Sequence, residues 1–271
     1  MRNASLGLLA ALCSVGCAHV PLSASALDET KQVAFLARIE DEAGPKSRVF
    51  REDASYRPVL APRRIDDKEA DRRLGNVLAA GSFDKSKRLV AHTISRFELA
   101  EALRSTTLAL LPKVSPWVEV VHPADVARVL ESFLVQEVPA NAPDYERLLA
   151  LGADTVLELV VEEYGMRSRG GRAGAYVIGF ARMFRINGPT LYLRRFVSDD
   201  VTAGVDHLDP FAVSKNATLF KDRVKQIVLA VAEQVAKDLT PPARRELAPG
   251  SGPVRRMKQP VVPVPEEDDP L

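Results

Sequence analysis

Cysteine is almost missing from this chain: 271 residues hold two, Cys13 and Cys17, and none follows. Everything downstream of Cys17 therefore lacks the means for a disulfide, a thiolate zinc site or a cysteine nucleophile. The four histidines, His19, His92, His122 and His207, show no ligand-set spacing. His207, between Asp206 and Asp209, has two carboxylates near one imidazole, a pattern commoner at a helix-entry turn than at a metal site. No metal or other cofactor is expected. One-sided charge is also missing: Lys plus Arg is 37, Asp plus Glu is 36, and the net charge is +1. No global field recruits nucleic acid or an anionic membrane. Apolar runs stay short of the roughly 20 residues that a membrane-spanning helix requires. There is no Gly-x-Ser-x-Gly elbow, no His-Glu-x-x-His helix, no dinucleotide fingerprint and no phosphate loop ending in Gly-Lys-Ser/Thr. Nothing in the residues names a reaction, and a non-enzymatic role is expected.

What is present begins at the N-terminus. Arg2 precedes an apolar stretch over 4–15, followed by Gly16, Cys17 and Ala18. A positive start, a short apolar core and a small residue before a cysteine resemble a bacterial lipoprotein signal, in which Cys17 becomes the lipidated first residue. Ser14 stands where that pattern prefers Leu, and Ala18 rather than Asp resembles sorting to the outer membrane. Ala24-Ser25-Ala26 offers the alternative, ordinary signal-peptidase cleavage after Ala26 and a soluble periplasmic product. Both readings export the chain. The expected organisation is a signal peptide over 1–16, a tether or N-terminal extension over 17–55, a single α/β domain over 56–240, and a tail over 241–271. With 46% hydrophobic residues, the body is large enough to hold its core without disulfides.

Periodicity assigns elements along the body. A possible strand lies at Val33–Ile39, and a proline-flanked apolar patch, Val59-Leu60-Ala61, suits an edge strand at best. Leu89, Val90, Ile94, Phe97, Leu103 and Leu110 recur at helical spacing until Pro112. Residues 117–121 read as a strand, and Pro123 after His122 opens a second helix carrying Val126, Val129, Leu130 and Phe133 on one face. Asp144 is a candidate N-cap for a short helix Tyr145–Leu151, which Gly152 closes. The period then becomes two over 156–164, 176–186 and 191–197, with Asn187-Gly188 as a hairpin turn, giving a three-stranded antiparallel meander. A long helix over 211–239 follows, with Val213, Ala217, Phe220, Val224, Ile227, Val228, Val231, Val235 and Leu239 along one stripe. Proline, glycine and charge then dominate, so the tail is expected to be disordered and extended, a solvated terminus or a ligand for a partner.

On the middle strand Tyr176, Ile178, Phe180, Phe184 and Ile186, interrupted by Arg182, share one face, and Val177, Gly179, Ala181, Met183 and Arg185 share the other. One face is expected to be packed and the other to be partly covered or paired with a partner. Arg167, Arg169 and Arg172 sit with Gly170, Gly171 and Gly174 in a loop between strands. Exposed amides and three guanidinium groups suit an anionic partner, and a plain flexible hairpin loop is the competing reading. Glu162 and Glu163 are adjacent on a strand and should point to opposite faces, the wrong arrangement for an acid and base acting on one bond. His122 is explained as part of a helix cap, and Trp117 as core or strand-start packing, with a partner contact as the alternative.

Residues 118–121, then Leu148-Leu149-Ala150-Leu151-Gly152-Ala153-Asp154, then the strand beginning at Thr155 carry a family resemblance. Their order is similar to the α/β domain shared by curli-secretion lipoproteins, outer-membrane lipoprotein activators of peptidoglycan synthases, and the N-terminal domain of the Tol-system propeller protein. The resemblance covers about 87–240. It implies an α/β (α+β) domain with an antiparallel or mixed sheet covered by helices. It also implies an accessory or assembly lipoprotein on the periplasmic face of the outer membrane, binding another envelope protein. An oligomeric secretion or channel component is the alternative, but the loop over 166–175 is short, glycine-rich and basic rather than a barrel-forming hairpin.

Overall fold

Alternating burial along three consecutive strands, and one apolar stripe on the last helix, set the architecture. The computed structural model describes residues 19–52, 67–80, 94–136, 144–204 and 208–240. In chain order these form α1 Ala24–Asp28, β1 Val33–Ile39, β2 Lys46–Arg48, α2 Val49–Glu52, α3 Asp67–Ala80, α4 Arg96–Leu110 and α5 Pro123–Gln136. A 3₁₀ helix Tyr145–Leu151 follows, then β3 Thr155–Arg169, β4 Arg172–Arg185, β5 Thr190–Asp199, α6 Asp200–Ala203, α7 Pro210–Lys215 and α8 Thr218–Asp238. The class is α+β, with one mixed five-stranded sheet. β3, β4 and β5 form the antiparallel meander, while β1 and then β2 lie in succession along the other side of β3, both parallel to it.

Helices cover one face of this sheet. Leu157, Leu159, Val161, Tyr164 and Met166 of β3, Val177, Ala181 and Met183 of β4, and Tyr192 and Phe196 of β5 pack there with Leu99 and Leu103 of α4. From α8 come Phe220, Val224, Ile227, Val228, Val231 and Val235, six buried side chains each stabilising by about 1.5–3 kcal/mol relative to exposure. Asp238 fixes the far end of α8 to β5 by accepting from Arg194 (2.7 Å) and Tyr192 (3.2 Å). The expected helix over 211–239 is therefore two helices, α7 capped by Asp209 and α8 separated from it at Asn216 and Ala217. A smaller cluster covers part of the opposite face: Val126 and Leu130 of α5 and Leu148 of the 3₁₀ helix lie against Ala34, Leu36 and Val156.

Several expectations change. The stretch 17–55, expected to be a tether or N-terminal extension, is in part core: β1 is buried against β3, and Val33, Ala34 and Phe35 belong to the core. Even α1 is built in: Ser23 caps it, Leu22 and Leu27 are buried, and Val20 exchanges two backbone hydrogen bonds with Leu193 of β5 (2.8 and 3.0 Å). Residues 117–121 form no strand. Turn bonds from Trp117 to Val114 and from Glu119 to Pro116 coil the segment, and Val121 alone reaches the sheet, donating to Val33. β1 occupies the place beside β3 that such a strand would need. On α4 the buried face is Leu99, Leu103 and Thr107, whereas Phe97, read as part of the apolar stripe, is 80% exposed. The tail over 241–271, the Val59 patch, Leu89, Val90, His92 and His207 lie outside the described residues, as does Cys17.

Candidate functional site

The half of the second sheet face beyond α5 carries the molecule's concentration of charge. Its floor comes from every second residue of β3, β4 and β5, which strand geometry places on one side. At its centre is Glu158, a fully buried carboxylate in an otherwise apolar run. It accepts from Arg38 of β1 (2.7 Å), from Arg182 of β4 and from the Tyr145 hydroxyl of the 3₁₀ helix (2.6 Å). Burial draws the Arg38 guanidinium down, but the hydrogen bond and charge of Glu158 outweigh it and hold the group above its ordinary value. Burial, and then the Glu158 charge, push the Tyr145 phenol well up, so it is a neutral donor at any physiological pH. Arg182 also lies over the Phe184 and Phe180 rings, at 4.8 and 5.8 Å from their centroids.

A bulge in β3 creates the next row. Val161 faces Gly179 and Glu163 faces Ile178, so Glu162 is the extra residue. The two glutamates expected on opposite faces therefore both turn to this one, because a bulge breaks strict alternation. Glu162 pairs with Arg195 of β5 (2.8 Å). Glu163 accepts from Arg48 of β2 (2.7 Å) and from the Tyr176 hydroxyl, with Lys46 at 3.4 Å. Farther along, Asp199 accepts from Arg167 and caps α6 through Val201 and Thr202. Burial pushes its carboxyl up, and the hydrogen bonds from Arg167 and Thr202, with the Arg167 charge, more than offset this and hold it below its ordinary value. Arg195, Val197, Ile178 and Phe180 line the outward surface, with Val197 59% exposed.

This arrangement separates the three arginines expected to act together. The strands run to Arg169 and restart at Arg172, so Gly170 and Gly171 are a two-residue hairpin turn with φ of 60° and 75°. Two successive positive φ values are what such a turn demands, and glycine supplies them without a Cβ clash. The segment is consequently a tight turn between paired strands rather than a flexible loop. Arg167 lies inside the sheet, committed to Asp199 and set over the Tyr176 ring at 5.2 Å. Only Arg169 and Arg172 are exposed beside the turn.

Of the remaining candidates, His122 accepts from the Ala124 amide through Nδ1 (3.2 Å) at the start of α5, the capping role expected of it. Trp117 is buried, and its indole Nε1 meets no acceptor among the described residues. Among those residues no group of His, Cys, Asp and Glu is placed to hold a metal ion, and no helix is long and apolar enough to cross a membrane. Sequence reasoning missed Glu158; a lone acid inside Val156-Leu157-Glu158-Leu159-Val160 was the available signal.

No family model matches this chain, and no curated protein does. Among solved structures, a hypothetical protein from Chlamydia trachomatis is 13% identical over 76% of this chain and 98% of its own length, with a TM-score of 0.26. A Xanthomonas campestris protein described under DUF330 is 10% identical over 81% of this chain and 87% of its own, with a TM-score of 0.32.

Proposed function

We propose that this chain is an exported envelope lipoprotein, acylated at Cys17, which works as a non-enzymatic accessory or assembly module by binding another envelope protein. The observation that carries the proposal is the place of the N-terminal contacts among the described residues. Val20 is hydrogen-bonded to the sheet edge, Leu22 is buried and Ser23 caps α1. Cleavage after Ala26 would strip all three from the folded domain, whereas processing at Cys17 leaves them intact. This favours the lipid boundary over the soluble alternative.

The second sheet face presents a contact surface. Its carboxylates Glu158, Glu162, Glu163 and Asp199 are each engaged by a cation, so they contribute cross-links between strands. Ile178, Phe180 and Val197 lie between them as partly exposed apolar surface, the composition of a contact patch with a polar rim.

The test has two readings. Native chain and Cys17→Ser are expressed and fractionated, and the mass of the N-terminal peptide is measured. Membrane association of the native chain, an acyl mass increment on Cys17 and release of the variant are expected; equal solubility of both would refute the anchor. Photo-crosslinking in cells from position 229, exposed on the outward side of α8, should then capture a discrete envelope protein, and the absence of any adduct above background would refute the binding role.

A further inference from the structure

Acylation at Cys17 would leave only Ala18 and His19 between the anchor and Val20, where the chain is already fastened to β5. Three residue steps span at most about 10–11 Å even when fully extended. The lipid is therefore not on a long leash. Resting on the lipoprotein reading above, we propose that the second sheet face beside β5 docks directly on the phospholipid surface, holding the domain flush against the leaflet that anchors it.

Direction and chemistry both favour this face. Val20 is antiparallel to Leu193, so the chain arriving from Cys17 approaches from the Arg195 side of β5. Paired residues in a sheet share a face, and Leu193 pairs with Arg182, so Val20 and Leu193 lie on the same side as Arg182, Phe180, Ile178, Arg195 and Val197. Val20 and Val197 are exposed, and Ile178 and Phe180 partly so. This places an apolar strip beside the attachment point. On the same face Arg38, Lys46, Arg48, Arg167, Arg182 and Arg195 outnumber Glu158, Glu162, Glu163 and Asp199, leaving a local positive excess that the near-neutral whole chain conceals. Apolar contact combined with cations facing anionic headgroups is the combination that holds a domain at an interface.

The experiment uses the acylated full chain in vesicles of phosphatidylethanolamine and phosphatidylglycerol, three parts to one. A single cysteine is introduced at Val197→Cys or, on the outward side of α8, at Leu229→Cys, and labelled with an environment-sensitive fluorophore. Both positions are exposed, so neither substitution threatens the core. With acylation first verified by mass, a headgroup-quenching lipid should quench the position-197 label several-fold more than the position-229 label, and more strongly in these vesicles than in pure phosphatidylcholine. Equal quenching at the two positions on an acylated chain would overturn the docking while leaving the anchor standing. A chain without the acyl mass would overturn both.

Discussion

Replacing Glu158 with alanine should be among the most damaging single changes to a charged residue of this domain. Glu158 is fully buried, and its partners Arg38 and Arg182 have side chains 36% and 30% exposed. Removing one member of a buried ionic cluster typically costs about 3–5 kcal/mol, because the remaining charges lose their compensation. Partial exposure lets water screen both arginines, so the lower end applies, about 3 kcal/mol. With a urea dependence near 2 kcal/mol per molar, the unfolding midpoint should fall by about 1.5 M. Tyr145→Phe deletes one hydrogen bond to the same carboxylate, worth about 1.5 kcal/mol. Once Glu158 is gone that hydroxyl has no carboxylate to serve, so the double variant should lose less than the sum of the two single losses, by about the same 1.5 kcal/mol. Urea titrations followed by far-ultraviolet circular dichroism measure all four corners. A loss below about 1 kcal/mol for Glu158→Ala, or strict additivity with Tyr145→Phe, would refute the argument that this cluster acts as a unit.

Other sites respond in their own ways. Because the Asp199 carboxyl is held below its unfolded value, its contribution to stability is complete above the unfolded carboxylate range near pH 4 and is lost as the pH falls through the folded value. The stability gap between native chain and Asp199→Asn in urea should therefore be widest at pH 7 and narrow below about pH 4. A Cβ at Gly179 would sit 2.0 Å from the Val160 carbonyl oxygen and 2.7 Å from the Phe196 ring. Gly179→Ala should accordingly cost about 3 kcal/mol, read as a lowered thermal midpoint, since backbone cannot yield as a flexible side chain can. Val20→Pro removes the amide that donates to Leu193, and limited proteolysis should then cleave near α1 faster than in the native chain while the meander stays protected.

Local signals were legible where a residue's own chemistry decides its conformation. Asp144 and Gly152 frame Tyr145–Leu151 by capping and by a left-handed φ of 82°, and the turn at Asn187 takes the positive φ its sequence announces. The α8 stripe was readable because burial on a single face leaves a period of 3.6. Long-range pairing left no such trace. β1 was recognisable as a strand, but its parallel partner begins at Thr155, more than a hundred residues later, and nothing near Val33 says that the segment is core rather than tether. The β-branched run after Trp117 misleads for the converse reason, since strand propensity yields to the turns that coil it. The bulge at Glu162 is equally silent in sequence, yet it decides which way two carboxylates point.

The charges on the second face do more than decorate the sheet, because each one ties β3 or β5 to a different element. Glu158 holds β1, β4 and the 3₁₀ helix to β3; Glu163 holds β2 and β4 to it; Asp199 joins β5 to β3 through Arg167. A sheet whose strands are mostly apolar on both faces is poorly protected against slippage, since a one-residue shift exchanges one hydrophobic side chain for another. Here such a shift would turn Arg38 or Arg182 to the helix-packed face and leave Glu158 buried without its partners. The ionic rows thus exact their largest penalty from the wrong registers, which makes specificity of pairing their main contribution. That register also fixes Leu193 opposite Arg182 and, through Leu193, the place where Val20 joins the edge. A buried glutamate in the middle of the sheet thereby helps decide where the chain from Cys17 meets the domain, and with it which face an anchored molecule turns toward the membrane.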